Sequence, residues 1–200
     1  MAGMSDLLWF LTRASGIVAL VLMLAAVVDG LVFSARLGGP RVRPAWLMDL
    51  HRGLGGYALM FTGLHLATAF GAGVGVGLAS IFVPGIAPAD TTAYTLGVVA
   101  FYVMAVTVFT TWPKRLLRRK VWHLLHILSV PATLVAAVHA YQLGSDASQP
   151  VYLGLSAVAA GLFVYPLVMR LIGTTASPRR RSSVRELPAR GAATPARSAA

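Results

Sequence analysis

The sequence predicts an all-α fold: a polytopic membrane helical bundle of five transmembrane helices, with the N-terminus outside and the C-terminus cytoplasmic. Hydrophobic residues fill 57% of the 200 positions and mean hydropathy is +0.74, well above the apolar share of a soluble domain. Five apolar runs approach the roughly 20 residues that a helix needs to cross the hydrocarbon core. Basic residues fall in every second connection, the pattern that places those connections on the cytoplasmic side.

The first run, Leu7 to Phe33, is too long for a secretory signal and lacks both the basic leader and the small-residue cleavage site, so it reads as a retained helix. It is followed by the basic "SARLGGPRVRP", then by a second span from Leu50 to Phe70. Residues 71 to 93 contain no Lys or Arg and are expected outside; this loop is glycine-rich and apolar enough to dip into the outer interface. The third span, Tyr94 to Trp112, leads into the basic "PKRLLRRK", and the fourth, Val121 to Tyr141, into the uncharged-to-acidic segment 142 to 150. The fifth runs from Val151 to Ile172. Trp46, Trp112 and Trp122 fall at the expected inner interface and Trp9 near the outer one, where amphipathic rings prefer to sit.

Two domains result: residues 1–173 in the membrane and 174–200 as a disordered basic cytoplasmic tail. From Thr174 the chain reads "TTASPRRRSSVRELPARGAATPARSAA", with too few large apolar residues to build a core. Its triple arginine, 179 to 181, is suited to anionic lipid headgroups or to docking a cytoplasmic partner. The formal charge of +11 does not indicate nucleic acid, because the seventeen Lys and Arg lie between and after apolar runs rather than among exposed aromatics. With no cysteine, the chain has no disulfide, thiolate metal site, iron–sulfur cluster or c-type haem attachment. Any metal must be held by histidine or oxygen.

An imidazole inside a membrane span is costly and needs a hydrogen-bonded role or a bound partner. The second span carries His51 and His65, 14 residues apart, and the fourth carries His126 and His139, 13 apart. At about 1.5 Å per residue these separations are about 21 and about 20 Å. Both spans run from inside to outside, so the histidines fall into two levels: His51 with His126 near the cytoplasm, His65 with His139 near the outside. Structural zinc wants four ligands and finds only two at each level. A haem needs two axial ligands, so two b-type haems fit the count, the depth and the lack of cysteine. Gly53, Gly55, Gly56 and Gly63 would let a flat ring approach the backbone, or would serve small-residue helix packing.

In an ideal helix 14 residues return to within about 40° of the same face, whereas 13 land about 140° away. Pro131 lies between His126 and His139, lacks an N–H and crowds the turn reaching back to Ile127. A kink or π-bulge there is expected to turn His139 towards His65. The fifth histidine, His123, reads as interfacial or as a propionate contact, with exchange for His126 as ligand the lesser option. Asp29 reads as interfacial. Asp90 is the single carboxylate of the outer loop and is too little to specify a metal-chelate site.

The pieces "WFLTRASGIVAL", "HRGLGG" followed by "LH", and "WHLLHILSVPATLVAAVH" resemble the ferric-reductase-like transmembrane domain family, over roughly residues 7 to 172. That family includes NADPH oxidases, ferric reductases and the haem-binding subunit of the bacterial periplasmic methionine sulfoxide reductase system. The resemblance implies that His51, His65, His126 and His139 ligate two haems that pass electrons from a cytoplasmic flavin to an outside acceptor. It also implies a haem-propionate contact for Arg13, which otherwise reads as a snorkelling arginine. Unlike the larger oxidases, this chain has 28 residues after Ile172 and no G-x-G-x-x-G motif, so it is expected to lack its own flavin and nicotinamide domain. The sulfoxide reductase subunit is of similar size but tends to have arginine where this chain has His51.

The function expected is a b-type di-haem electron conduit of the plasma or inner membrane, an oxidoreductase component served by a separate flavoprotein or quinol donor and an external acceptor protein or small molecule. A single-haem subunit using His65 and His139 to feed a periplasmic oxidoreductase is the alternative. A small transporter or assembly protein is the alternative of another class, supported by no carboxylate relay or broken-helix pair.

Overall fold

A computed structural model describes residues 2–35, 37, 43–73, 77–111, 117–145 and 147–175. Among these residues the chain forms helices and no strand: α1 (Ala2–Ala35), α2 (Pro44–Gly71), α3 (Leu78–Phe82), α4 (Thr91–Phe109), α5 (Arg119–Ile127), α6 (Ser129–Leu143) and α7 (Pro150–Thr175). Four stretches are long and apolar enough to cross a membrane: Gly3–Ala35, Thr91–Phe109, Arg119–Leu143 and Pro150–Gly173. The molecule is therefore all-helical with membrane-spanning character. At 28 residues α2 has the length, but Asp49, Arg52, two histidines and a series of glycines lower its hydropathy, so it is not among the four.

Serine and threonine hydroxyls inside these helices bond to their own helix, as a spanning segment without water around it requires. Thr12 and Ser15 donate to the carbonyls of Leu8 and Leu11. Thr62, Thr68, Thr107 and Thr133 donate in the same way to carbonyls four residues before them. Pro44 opens α2 at a position where the missing N–H has no intrahelical partner to lose.

The expected irregularity near Pro131 is present, displaced by three residues. Leu128 interrupts the helix between α5 and α6, with φ −61° and ψ −16°. Pro131 offers no N–H to the carbonyl of Ile127, and the Ser129 hydroxyl donates to the carbonyl of His126 at 2.7 Å. The ladder resumes at Ala132, whose N–H reaches the Leu128 carbonyl at 3.1 Å.

α1 lies antiparallel along α2, in the most extensive contact of the molecule, and α4 pairs with α6. At the middle of the bundle Met23, Ala58, Met104 and Ala132 meet, one from each of α1, α2, α4 and α6. α7 packs on the second half of α1 through Phe163 against Val27 and Leu31. Among the described residues, no Cα of α2 comes within 8 Å of α5 or α6. Between α2 and α4, α3 is tied to α4 by the Tyr102 hydroxyl, which donates to the Phe82 carbonyl at 2.8 Å. The expected tail and Trp112 lie outside the described residues, apart from the end of α7, which continues to Thr175.

Candidate functional site: two histidine pairs

The structure brings the four span histidines together as two pairs. His51 of α2 and His126 of α5 have ring centres 5.5 Å apart with planes at 62°. His65 of α2 and His139 of α6 are 6.5 Å apart at 87°. Because both pairs close, α2 runs parallel to α5–α6, and Leu128 marks an irregularity between His126 and His139. Because no Cα of α2 comes within 8 Å of α5 or α6 among the described residues, the imidazoles stand across a slot between the two rods.

Each of three rings is anchored on its far side. His51 Nδ1 lies 2.9 Å from the Ala26 carbonyl, His65 Nδ1 2.8 Å from that of Thr12, and His139 Nδ1 2.7 Å from that of Ala93. A carbonyl only accepts, so Nδ1 carries the proton and Nε2 keeps its lone pair. Metal-ligating histidines commonly hand their other N–H to a carbonyl, a carboxylate or water in this way. His126 is held differently, by Trp122 of its own helix, whose ring stacks on it at 5.0 Å and 15°. Trp122, expected as an interface anchor, is half-buried against the inner pair.

Comparison of the chain with known protein families, with curated proteins and with solved structures finds no match. The reading of the site therefore rests on its own geometry. An imidazole nitrogen bonds a metal at about 2.0 Å, which would put the two ring centres of a shared ion roughly 6.3 Å apart. The outer pair stands at nearly this spacing, while the inner pair must open by about 1 Å. Among the described residues no three His, Asp or Glu side chains converge on one point, so two-ligand sites are what the geometry offers. A planar metal complex needing only axial donors fits that set, and a tetrahedral zinc does not.

The glycines sort unexpectedly. A Cβ added at Gly53, Gly56 or Gly63 would meet nothing within 4 Å, and one at Gly55 only the Val108 methyl at 3.9 Å. The first three take no part in helix packing and leave α2 bare. The glycines in contact with histidine are others, Gly16, Gly30 and Gly97, which composition and motif had not singled out. Their sequence signal is a small residue four positions earlier: "TRASG", "AVVDG" and "AYTLG".

Asp29, expected near the inner membrane interface, is buried within the protein at 8% exposure, with Oδ2 3.7 Å from His51 Nδ1. Arg13 donates to the Ser145 hydroxyl at 2.7 Å and lies over the Trp9 ring at 4.7 Å, so it ties the start of α1 to the loop before α7. His123 is exposed and takes no part in either pair. Between the levels lies the apolar centre, where Ala58, midway between His51 and His65, is 1% exposed.

Proposed function

We propose that this chain is a b-type di-haem electron conduit of the ferric-reductase-like kind, in which His51 and His126 hold an inner haem and His65 and His139 an outer one. The observation that carries the proposal is the pair of cross-helix imidazole couples, in which His51, His65 and His139 give Nδ1 to a backbone carbonyl and leave Nε2 as the ligating nitrogen. Bound there, each haem would be held by one imidazole from each rod and would supply a one-electron couple. The carbonyls of Thr12, Ala26 and Ala93 keep the rings in the ligating tautomer. The centre built by Met23, Ala58, Met104 and Ala132 excludes water between the levels.

In this reading α2 is a fifth span, held in the membrane by its neighbours despite its polar residues, and the basic connections place its His51 end in the cytoplasm of a plasma or inner membrane. Electrons enter from a separate flavoprotein or quinol and leave to an external acceptor; outward passage is assisted by about 2.3 kcal/mol per 100 mV of a potential negative inside. Arg13 stands one residue from the Thr12 anchor of the outer pair and is suited to a propionate there. A second reading, one haem at His65 and His139 alone, is favoured by the better spacing of the outer pair.

Haem quantification with a reduced-minus-oxidised spectrum, on the full chain purified after expression with ample haem, tests both readings. Two haems per chain, with one lost in His65→Ala and one in His51→Ala, is the expected result. One haem that survives His51→Ala selects the second reading, and a haem content unaffected by either substitution overturns both.

A further inference from the structure

The three anchored histidines share one local design. His65 bonds the carbonyl of Thr12 and abuts Gly16; His51 bonds that of Ala26 and abuts Gly30; His139 bonds that of Ala93 and abuts Gly97. In each case the glycine follows the acceptor by four residues, on two helices and at both levels. The spacing has a physical cause. A helix carbonyl at position i already accepts the N–H of i+4 and has a second lone pair to offer. The Cβ of residue i+4 tilts towards the helix N-terminus and overhangs that carbonyl. Removing it opens a notch in which an imidazole edge lies flush with the neighbouring backbone while Nδ1–H reaches the oxygen.

We infer that Gly16, Gly30 and Gly97, each with the carbonyl four residues before it, are positioning residues that fix the imidazole planes of His65, His51 and His139. This rests on the di-haem reading for the ligand, while the notches themselves are geometry of the chain. A Cβ at Gly97 would stand 2.6 Å from Cε1 and 2.7 Å from Nδ1 of His139; at Gly16, 2.9 Å from Nδ1 and 3.0 Å from Cε1 of His65; at Gly30, 3.1 Å from Cε1 and 3.4 Å from Nδ1 of His51. The first two cannot be met without moving a ring held by a hydrogen bond, and the third demands only a small adjustment. The outer pair is thus notched on both sides, which locks its planes in the crossed arrangement of 87°. At the inner pair only His51 is notched, and the stacked Trp122 orients His126.

Plane orientation has its own spectroscopic signature. A low-spin ferric haem between crossed imidazoles gives a strongly anisotropic electron paramagnetic resonance signal with one very large g value, and near-parallel planes give an ordinary rhombic signal. The experiment compares this spectrum and the haem count in the full-length wild type, Gly97→Ala, Gly16→Ala and Gly30→Ala. Gly154→Ala, where a Cβ meets nothing within 4 Å, is the control. We expect Gly97→Ala to lose the large-g signal, by a shift to the rhombic form or by loss of the outer haem. Gly16→Ala should change the same signal less, Gly30→Ala should alter only the inner haem, and Gly154→Ala should match wild type. If Gly97→Ala does not elute as a single folded species, the Gly16→Ala and Gly30→Ala spectra decide. Haem-loaded wild type whose Gly97→Ala and Gly16→Ala spectra superimpose on that of Gly154→Ala overturns the positioning role alone. Wild type that binds no haem overturns the di-haem reading and this role with it.

Discussion

The outer and inner histidine pairs use the same two rods and the same slot, yet they are built differently. At the outer level both imidazoles hand their Nδ1 proton to a carbonyl of another helix, stand 6.5 Å apart and cross at 87°. At the inner level only His51 does so; His126 leans on its own helix through Trp122, the rings are 5.5 Å apart, and a buried carboxylate stands beside His51. A site whose two rings are held across four helices is preorganised, because neither ring would have to be reoriented when a ligand enters. On the di-haem reading the inner site would have to widen on binding, and it carries a carboxylate beside His51 that the outer one lacks. The difference teaches that two couples identical in ligand type can be made unequal by what stands behind the ligands.

Removing one level at a time is the strongest way to break the comparison. The levels are about 21 Å apart along α2 and share no side chain, so their losses should be independent. We expect His65→Ala/His139→Ala to retain one haem and His51→Ala/His126→Ala to retain the other, each measured by haem content and difference spectrum. Retention of both haems in either double variant, or loss of both, would show that the levels do not exist as separate sites.

The break near Pro131 offers a second way, with a partial effect. His126 lies before the interruption and His139 after it, so straightening the rod should disturb the outer level alone. Pro131→Ala restores the N–H that the Ile127 carbonyl lacks, and a proline inside a helix costs about 3 kcal/mol relative to alanine. The variant should therefore unfold at a higher temperature while losing part of its outer haem. Those opposite signs separate a geometric role from general damage; a parallel fall in stability and in both haems would refute it.

Much of this was legible in the sequence, and the limits have identifiable causes. Spacing along one helix is a local property, so the two levels and the need for a rotation near Pro131 follow from 14, 13 and the helical repeat. What stands behind each ring is not local. The acceptor carbonyls belong to α1 and α4, residues whose side chains advertise nothing, and backbone oxygens leave no mark in composition. The notch glycines do leave one, a small residue four positions earlier, but Gly53, Gly55, Gly56 and Gly63 drew the attention because they flank the histidines in the chain. Asp29 and Trp122 read as interfacial because an end of a span is where such residues usually rest; that Asp29 is also buried against His51 comes from the antiparallel register of α1 on α2, which no local pattern carries.

Asp29 supplies the finest comparison, because it occupies the fourth position of its notch, "AVVDG", where the outer counterpart "TRASG" has Ser15. Ser15 satisfies itself, donating to the Leu11 carbonyl at 2.6 Å, and brings no charge. Asp29 Oδ2 faces the Nδ1 edge of His51 at 3.7 Å, where it strengthens the imidazole as a donor and favours the more positive oxidised state of whatever that ring ligates. Replacing the carboxylate by an amide of equal size should then raise the midpoint potential of the inner couple and leave the outer one in place. A change of about 1 kcal/mol, reasonable for a charge several ångströms away in a partly polarisable interior, corresponds to roughly 40 mV for one electron. A redox titration of Asp29→Asn should show the inner step moving up by that order towards the outer step. The contrast between the levels would shrink, and with it the downhill direction from inside to outside. A downward shift, or equal movement of both steps, would mean that Asp29 acts on the fold as a whole and not on His51.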